Sequence, residues 1–454
     1  MKNFLRIQSW LTAVLLVSNL GLSQAQPLPV LKISADQTSF TAAGKSFFWL
    51  GDTGWLLFAR CTREEAVNYL DARKAQGFNV VQAMLLHTVA AVNAYGDSAL
   101  VNADVSRPNL EKRYWEHVDF IIEEAEKRGI YLALVPVWGS NVKDGKVSVA
   151  QAKKYAAFLA KRLGKHNNIV WLNGGDIKGS DGMEVWQAIG NTLNRDDERH
   201  LITFHPRGRT SSSEWFHNAS WLDFNMFQSG HKDYRQDTSS NETNHFGEDN
   251  WKFVVKDLQL SPRKPTLDGE PSYENIPHGL HDSLEKRWSA ADLRRYAYWS
   301  VFAGGAGFTY GENSVMQFHR SGTPGASFGP VRNWEEVLNE PGANQVKYLS
   351  NLIESTTGAQ RKSGPELLVG KPGDQYNYLA TMLGKYHGLV YTYTGHNILV
   401  NLAKLGFTPT KASWFDPRTG NRQAIKNAFK GKEVAFNPPG EPIPGNDWVL
   451  ILEK

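Results

Sequence analysis

Short apolar runs alternate with segments of helical periodicity over most of the chain, and this alternation limits the folds that the chain can adopt. Residues 79–86, for example, form a nearly continuous apolar run, which is typical of a strand buried on both faces. Strands that alternate with helices predict a parallel sheet, and eight such strands close a (β/α)8 barrel. The eight predicted strands are residues 46–52, 79–86, 131–138, 169–173, 201–205, 222–228, 265–268 and 307–310.

The segments between these strands have the start signals and the spacing of amphipathic helices. Thr62 and Glu65 form a capping box before a helix that continues to Ala75. Residues 114–128 place apolar side chains on one stripe, and the same pattern follows later in the chain. The further predicted helices are residues 149–163, 185–194, 251–258 and 290–303.

The pattern changes after about residue 361, where helical spacing gives way to short strands separated by turn residues. These strands are residues 378–383, 389–393, 398–402, 411–415 and 448–452. The fold class is therefore α/β, a TIM barrel over residues 26–360 that begins with a β-hairpin. A small all-β sandwich over residues 361–454 follows it.

The N-terminus has the features of a secretory signal peptide over residues 1–25. Lys2 and Arg6 precede an apolar run over residues 10–17, and Ser23-Gln-Ala25 is a small-x-small cleavage site. The apolar run is too short to span a membrane. We expect cleavage after Ala25, export to the periplasm or the medium, and no membrane insertion afterwards.

Charge, cysteine content and the absence of metal-binding motifs argue against nucleic acid, disulfides and metal ions in this protein. The net charge of +4 includes Lys2 and Arg6, and the chain has no long basic run, which argues against nucleic acid. Cys61 is the only cysteine, so the exported chain forms no internal disulfide. The histidines lack zinc-type spacing and the chain has no calcium-loop motif. We expect a monomer that works without a metal or other cofactor.

Two predicted strands end in an acid at a turn, and these acids are the candidate catalytic pair. Asp176 follows Gly174-Gly175 at the end of strand four, and Glu270 follows Gly269 at the end of strand seven. Active sites of such barrels lie at the C-terminal strand ends. Glycoside hydrolysis needs one carboxyl group to donate a proton and a second carboxylate to attack or to activate water. The alternatives are that Asp176 caps a helix and that Glu270 pairs with an arginine at the barrel rim.

Polar and aromatic residues near the other strand ends are candidates for substrate binding. Aromatic faces pack on sugar rings, so Trp55, Trp138 and Tyr310 are predicted to form a sugar platform. Imidazole and amide groups of His87, His205 and Gln228 are predicted to hold ring hydroxyls. The set is completed by Asp52, Tyr273 and Glu312. Packing at the barrel rim is the alternative role for each of them.

Four motifs resemble the apiosidase-like domain of glycoside hydrolase family 140. They are Phe-Trp-Leu-Gly-Asp-Thr-Gly-Trp at residues 48–55, Gly-Phe-Asn-Val-Val-Gln at 77–82, Trp-Leu-Asn-Gly-Gly-Asp at 171–176 and Asp-Gly-Glu-Pro-Ser-Tyr at 268–273. The resemblance covers roughly residues 30–355. Residues 361–454 resemble the collagen-binding-type domain that accompanies that family.

The resemblance implies a catalytic Asp176 and Glu270 and an exported β-apiosidase that acts on pectic rhamnogalacturonan-II. In the large retaining-glycosidase clan the strand-four acid is usually Glu, one methylene longer than Asp, so both retention and inversion stay open here. A glycosidase for another sugar is a second interpretation, because a barrel determines the scaffold better than the sugar. A third is a non-catalytic protein that binds glycan or matrix.

Overall fold

The computed structural model describes residues 27–454 apart from residues 239, 241–242, 357–360, 427 and 430. The predicted signal peptide therefore lies outside the described residues. A barrel domain, whose last helix ends at Thr356, is followed by a β domain, whose first strand begins at Lys362. In the part of the chain that is described, no helix is both long and apolar enough to cross a membrane.

Eight parallel strands form the barrel, as predicted. Neighbours in sequence pair from strand one to strand five and from strand six to strand eight, and strand eight pairs with strand one. Between strands five and six the Asp223 amide donates to the Ile202 carbonyl over 2.9 Å, and Thr203 Oγ1 donates to the Phe224 carbonyl over 2.6 Å. In order, the strands are Trp49–Thr53, Val80–Met84, Tyr131–Val135, Ile169–Ile177, Ile202–Pro206, Asn225–Gln228, Thr266–Asp268 and Gly307–Tyr310.

Helices cover the outside of the barrel, and the first long one begins with the cap that the sequence predicts. The capping box of Thr62 and Glu65 is present, and Ser148 and Gln151 form a second one. The main helices are Arg63–Ala75, Tyr114–Lys127, Val149–Leu163, Met183–Asp196, Trp251–Leu258 and Ala290–Phe302. Shorter α-helices are Leu57–Arg60, Gly139–Lys143, Ser213–Phe216, Pro341–Gln345 and Lys347–Thr356.

A small sheet closes the N-terminal end of the barrel. It has three antiparallel strands, Leu31–Ile33, Phe40–Ala42 and Lys45–Phe47, one more than the predicted hairpin. Phe40 is fully buried, and its ring centre lies 5.0 Å from that of Phe224, which precedes strand six. Because this apolar sheet covers the N-terminal end of the barrel, the opposite end, at the C-termini of the strands, is the one available for a ligand site.

The C-terminal domain is built from two β-sheets around its own apolar cluster. The larger sheet contains Lys362–Ser363, Ala380–Leu383, His387–Thr392, Trp448–Glu453, Lys411–Phe415 and Arg422–Ala424, and the smaller one pairs Ile398–Asn401 with Glu433–Phe436. The domain packs on the barrel helix Ala290–Phe302. There Arg294 donates to the buried carboxylate of Asp447 over 2.7 and 2.8 Å, and Tyr298 stacks on Tyr391 with ring centres 4.6 Å apart.

Candidate active site

A cavity of about 810 Å³ opens at the C-terminal ends of the barrel strands and contains both predicted catalytic acids. A volume of this size suits a small ligand or part of a larger one. Its walls come from strand ends and from the loops that follow them. Predicted site residues in its lining are Trp55, His87, Trp138, Asp176, Gln228, Glu270 and Tyr273.

Asp176 reaches the cavity because the end of strand four has an unusual backbone. Gly174, Gly175 and Asp176 have φ values of 92°, 111° and 46°. Such positive values suit glycine and are uncommon for an acid. A Cβ on Gly175 would lie 2.5 Å from Cε3 of Trp138, and one on Gly174 would lie 2.6 Å from the His205 carbonyl oxygen. The two glycines therefore let the turn pass between neighbouring strands and present the Asp176 carboxyl to the cavity.

The helix-capping alternative for Asp176 does not hold. The next helix begins only at Met183, and its N-cap is Gly182. Strand four also extends to Ile177, four residues beyond its predicted end, and its pairing with strand five becomes irregular between Gly174 and Ile177. The acid thus lies in a distorted strand end, a type of irregularity that is common next to active sites.

Glu270 lies across the cavity from Asp176, where two histidine side chains contact its carboxylate. Nε2 of His231 is 3.1 Å from Oε1 of Glu270, and Nε2 of His205 is 3.2 Å from Oε2. Nδ1 of His205 accepts the Asp176 amide over 3.4 Å, so the neutral ring carries its proton on Nε2 and faces Glu270 with an N–H. His205 therefore contacts both catalytic segments, and Glu270 pairs with imidazoles instead of the rim arginine considered above.

The surroundings of Asp176 and Glu270 shift the pKa values of the two acids in opposite directions. The Asp176 side chain is open to solvent at the cavity surface. The protein atoms around it, and then the negative charge of Glu270, nevertheless raise its pKa to about 6. Burial would also raise the pKa of Glu270, but hydrogen bonds from His205 and His231 outweigh it and lower that pKa to about 2. At mildly acidic pH the site therefore combines a proton donor, Asp176, with an ionised carboxylate, Glu270. This is the combination that cleavage of a glycosidic bond requires.

Aromatic side chains form the wall beside the two acids. The rings of Trp55 and Trp138 lie 5.2 Å apart, and the edge of Trp55 meets His205 at 5.1 Å. Nε1 of Trp55 donates to the Tyr273 hydroxyl over 3.1 Å, which fixes the orientation of both rings. Trp138 is only partly buried, so its face is the one available for a sugar ring.

Six basic side chains line the cavity, and none of them was predicted from the sequence to belong to the site. Arg60 and Lys143 come from barrel helices, whereas Lys178, Arg207, Arg209 and Lys232 lie on the loops after strands four, five and six. Asp181 is the acid that lines the cavity besides the catalytic pair. Arg207 also opposes the upward shift in the pKa of Asp176.

Three residues predicted to bind substrate have other partners in the structure. Asp52 is fully buried and accepts hydrogen bonds from Arg73 Nε and the Tyr69 hydroxyl, both over 2.5 Å. The Tyr310 hydroxyl donates to Glu274 over 2.6 Å. Glu312 accepts the backbone amides of Ser314 and Val315 over 2.7 and 2.9 Å. Asp52, Tyr310 and Glu312 are thus buried and bonded to other protein groups, and they are not among the residues that line the cavity.

Two residues outside the predicted set support Glu270. His231 comes from the loop after strand six, and its position shortly after Gln228 was the one signal for it. Gln82, in the middle of strand two, donates from Nε2 to the Gly269 carbonyl over 2.7 Å and so holds the turn before Glu270. Over the described ranges, no group of three or more His, Cys, Asp or Glu side chains is placed to hold a metal ion.

Comparisons with known proteins show what the two domains of the chain are similar to. A family model described as "Apiosidase-like, catalytic domain" matches residues 34–359, and one described as "Putative collagen-binding domain of a collagenase" matches residues 364–453. Comparison with curated protein sequences gives no match.

Solved structures also match nearly the whole chain, among them the following two. One titled "Glycoside hydrolase" is 40% identical, with a TM-score of 0.90 over 94% of this chain and 97% of its own. A glycoside hydrolase family 5 structure from Bacteroides vulgatus is also 40% identical, with a TM-score of 0.89 over 94% and 93% of the two chains.

Proposed function

The chain belongs to the apiosidase-like glycoside hydrolase family, and from this premise we propose that it is an exported β-apiosidase. Its proposed substrate is pectic rhamnogalacturonan-II, from which it releases apiosyl residues. One observation carries the catalytic part of the proposal: Asp176 and Glu270 face one cavity with pKa values shifted in opposite directions.

Each acid has a defined role in this proposal. Asp176 donates its proton to the glycosidic oxygen as the leaving group departs. Glu270, ionised and held by His205 and His231, attacks the anomeric carbon or takes a proton from the attacking water. In the first case Asp176 then activates water to release the sugar, and the configuration is retained. In the second case the configuration is inverted.

The charge around the cavity supports an acidic glycan as substrate. Pectic backbones carry uronate carboxylates, and six basic side chains line the cavity beside the two proposed catalytic acids and Asp181. One of the six, Arg209, is paired with Asp237. A basic rim raises the local concentration of an anionic chain and favours its binding at low salt. The partly buried face of Trp138 supplies a stacking surface for one sugar ring.

The proposal also covers location and assembly. The sequence of residues 1–25 supports export, and we propose that the processed chain acts as a monomer in the periplasm or the medium. Mass spectrometry of the exported protein would identify the cleavage site, and light scattering would give the mass in solution. An N-terminus other than Gln26 or a dimeric mass would contradict these two statements.

The central test is sugar release from rhamnogalacturonan-II oligosaccharides by the wild type, Asp176→Asn and Glu270→Gln. We expect apiose from the wild type and a loss of at least about 100-fold in each variant, because general acid–base terms are worth about that much or more. Proton NMR of the first-formed product would distinguish retention from inversion. Equal release by all three proteins would refute the catalytic assignment.

The same assay separates the alternatives. A panel of aryl pentosides and deoxyglycosides tests a glycosidase with another sugar specificity, which predicts turnover of a different member and no apiose. A non-catalytic glycan-binding protein predicts retention on pectin with no sugar released from any substrate.

A further inference from the structure

The loop after strand six forms one side of the active site and also contacts the C-terminal domain. We call residues 229–250, without residues 239, 241 and 242, the strand-six loop. It contributes His231, which bonds Glu270, and Lys232, which lines the cavity. Its Asp237 pairs with Arg209 of the cavity lining, with Oδ1 and Nε 2.9 Å apart.

The barrel itself holds the two ends of this loop. Ser229 Oγ donates to Asp268 Oδ2 over 2.6 Å, and Asn250 Nδ2 donates to the same oxygen over 3.0 Å. Next to His231, the Gly230 carbonyl accepts from Ser272 Oγ over 2.8 Å. These contacts leave the outer part of the loop, around Tyr234 and Glu248, to be held by other groups.

Glu248 joins that outer part to the C-terminal domain. Its carboxylate is fully buried and its Oε1 accepts the Tyr376 hydroxyl over 2.7 Å and the Tyr234 amide over 3.4 Å. The rings of Tyr234 and Tyr376 also meet edge to face, with centres 5.5 Å apart. One tyrosine of the C-terminal domain thus contacts the loop at two places that are far apart in its sequence.

Arg295 completes the cluster from the barrel side. It pairs with Glu248, and its guanidinium lies 4.9 Å from the ring centre of Tyr376 and 5.0 Å from that of Tyr393. A buried carboxylate is costly unless it is paired and hydrogen-bonded. The inward position of Glu248, and with it the course of the loop, therefore depends on groups from both domains.

We propose that Tyr376 of the C-terminal domain is a positioning residue of the active site. By holding Glu248 and Tyr234, it fixes the loop three residues away from His231 and so maintains the His231 hydrogen bond to Glu270. The catalytic consequence rests on the proposed function, whereas the effect on the loop does not. In this view the C-terminal domain completes the catalytic domain.

The test compares Tyr376→Ala, Tyr376→Phe and the control Tyr391→Phe in the full chain. The Tyr391 hydroxyl donates to Asp447 over 3.2 Å at the same domain junction but away from the loop. Hydrogen–deuterium exchange of peptides from residues 229–250 reports loop order whether or not the substrate is correct. We expect faster exchange in Tyr376→Ala, a smaller increase in Tyr376→Phe and none in Tyr391→Phe.

Kinetics then show whether the loop change reaches the chemistry. In Tyr376→Ala, kcat/KM should fall about tenfold, because small misplacements of catalytic groups are costly. The acid limb of its pH profile should move to higher pH, since a weaker His231 bond raises the pKa of Glu270. Unchanged exchange in Tyr376→Ala, an equal increase in Tyr391→Phe, or a pH profile identical to that of the wild type would overturn the proposal. If the wild type hydrolyses nothing, the proposed function fails, and the exchange data alone decide whether Tyr376 orders the loop.

Discussion

Acids at the ends of strands one and eight and acids at the ends of strands four and seven occupy equivalent places in the barrel but have different surroundings. Asp52 and Glu312 are buried among donors from the rim, including Arg73 and the Ser314 amide. Asp176 and Glu270 line the cavity, and their pKa values are shifted in opposite directions. Acids at equivalent strand ends therefore differ in what they face, and the pair that faces the cavity is the one proposed to be catalytic.

The largest expected difference between the two pairs of acids is in their effect on kcat/KM. Glu270→Gln should lower kcat/KM by at least about 100-fold, because the nucleophile or base is lost. Glu312→Gln, which makes the same chemical change on the other side, should alter kcat/KM less than about threefold per folded molecule. Steady-state kinetics, with circular dichroism to count folded protein, provide the measurement. Similar losses in the two variants would place Glu312 in the active site after all.

For the free energy of unfolding we expect the opposite order: the buried acids at the ends of strands one and eight should matter more than the acids that face the cavity. Arg73→Leu leaves the buried Asp52 carboxylate without its cation and should lower the free energy of unfolding by about 3–5 kcal/mol. Residual folded enzyme should keep its kcat/KM. Urea unfolding with parallel activity measurements tests both statements. A stable but inactive Arg73→Leu protein would show that Asp52 serves the catalytic site.

We expect the pH dependence of kcat/KM to come only from Asp176 and Glu270, at the ends of strands four and seven. Asp176 must be protonated to donate, so kcat/KM should fall about tenfold per pH unit above its pKa of about 6. Glu270 must be ionised, so the acid limb should lie near its pKa of about 2. A pH–rate profile checks both limbs, and Glu312→Gln should leave them in place. A profile that stays flat through pH 8 would contradict the role of Asp176 as acid.

The smallest expected effect concerns the basic side chains around the cavity. Lys232→Gln should raise KM for an acidic oligosaccharide about threefold at low salt, because a partly screened cation is lost. The difference should shrink as salt is added. Lys127→Gln, which removes an exposed cation elsewhere, should change neither value. Equal KM values at all salt concentrations would indicate that the basic rim does not contact the substrate.

Hydrophobic pattern was sufficient to predict the barrel and the strands that are apolar throughout. Strand eight and the strand Lys411–Phe415 have the predicted bounds. The strands Arg422–Ala424 and Glu433–Phe436 were not predicted, because most of their side chains are polar or solvent-exposed and neither strand contains an apolar run longer than three residues. Local pattern thus identified strands through burial and missed those that are held mainly by backbone pairing.

The sequence predicted only those residues of the candidate site whose position follows from the direction of the barrel strands. The strand-end rule selected Asp176 and Glu270, but an apolar strand does not reveal which side chains point outward. Asp52 points outward, since its partners Tyr69 and Arg73 lie on the helix outside strand one. His231 was missed because it belongs to a long polar loop whose course depends on contacts far away in sequence, including Tyr376.

The backbone at residues 174–176 also has a consequence for laboratory evolution of new specificities. Side chains on the two glycines would collide with Trp138, which follows strand three, and with Phe204 and His205 of strand five, so a change at these positions requires these neighbours to move at the same time. Lys178 and Lys232 also line the cavity but lie outside this turn, whereas the Arg207 amide donates to the Ile177 carbonyl next to it over 3.0 Å. A library that keeps residues 174–176, Arg207 and His231 constant and varies Lys178 and Lys232 would therefore test sugar choice while the proposed proton donor stays in place.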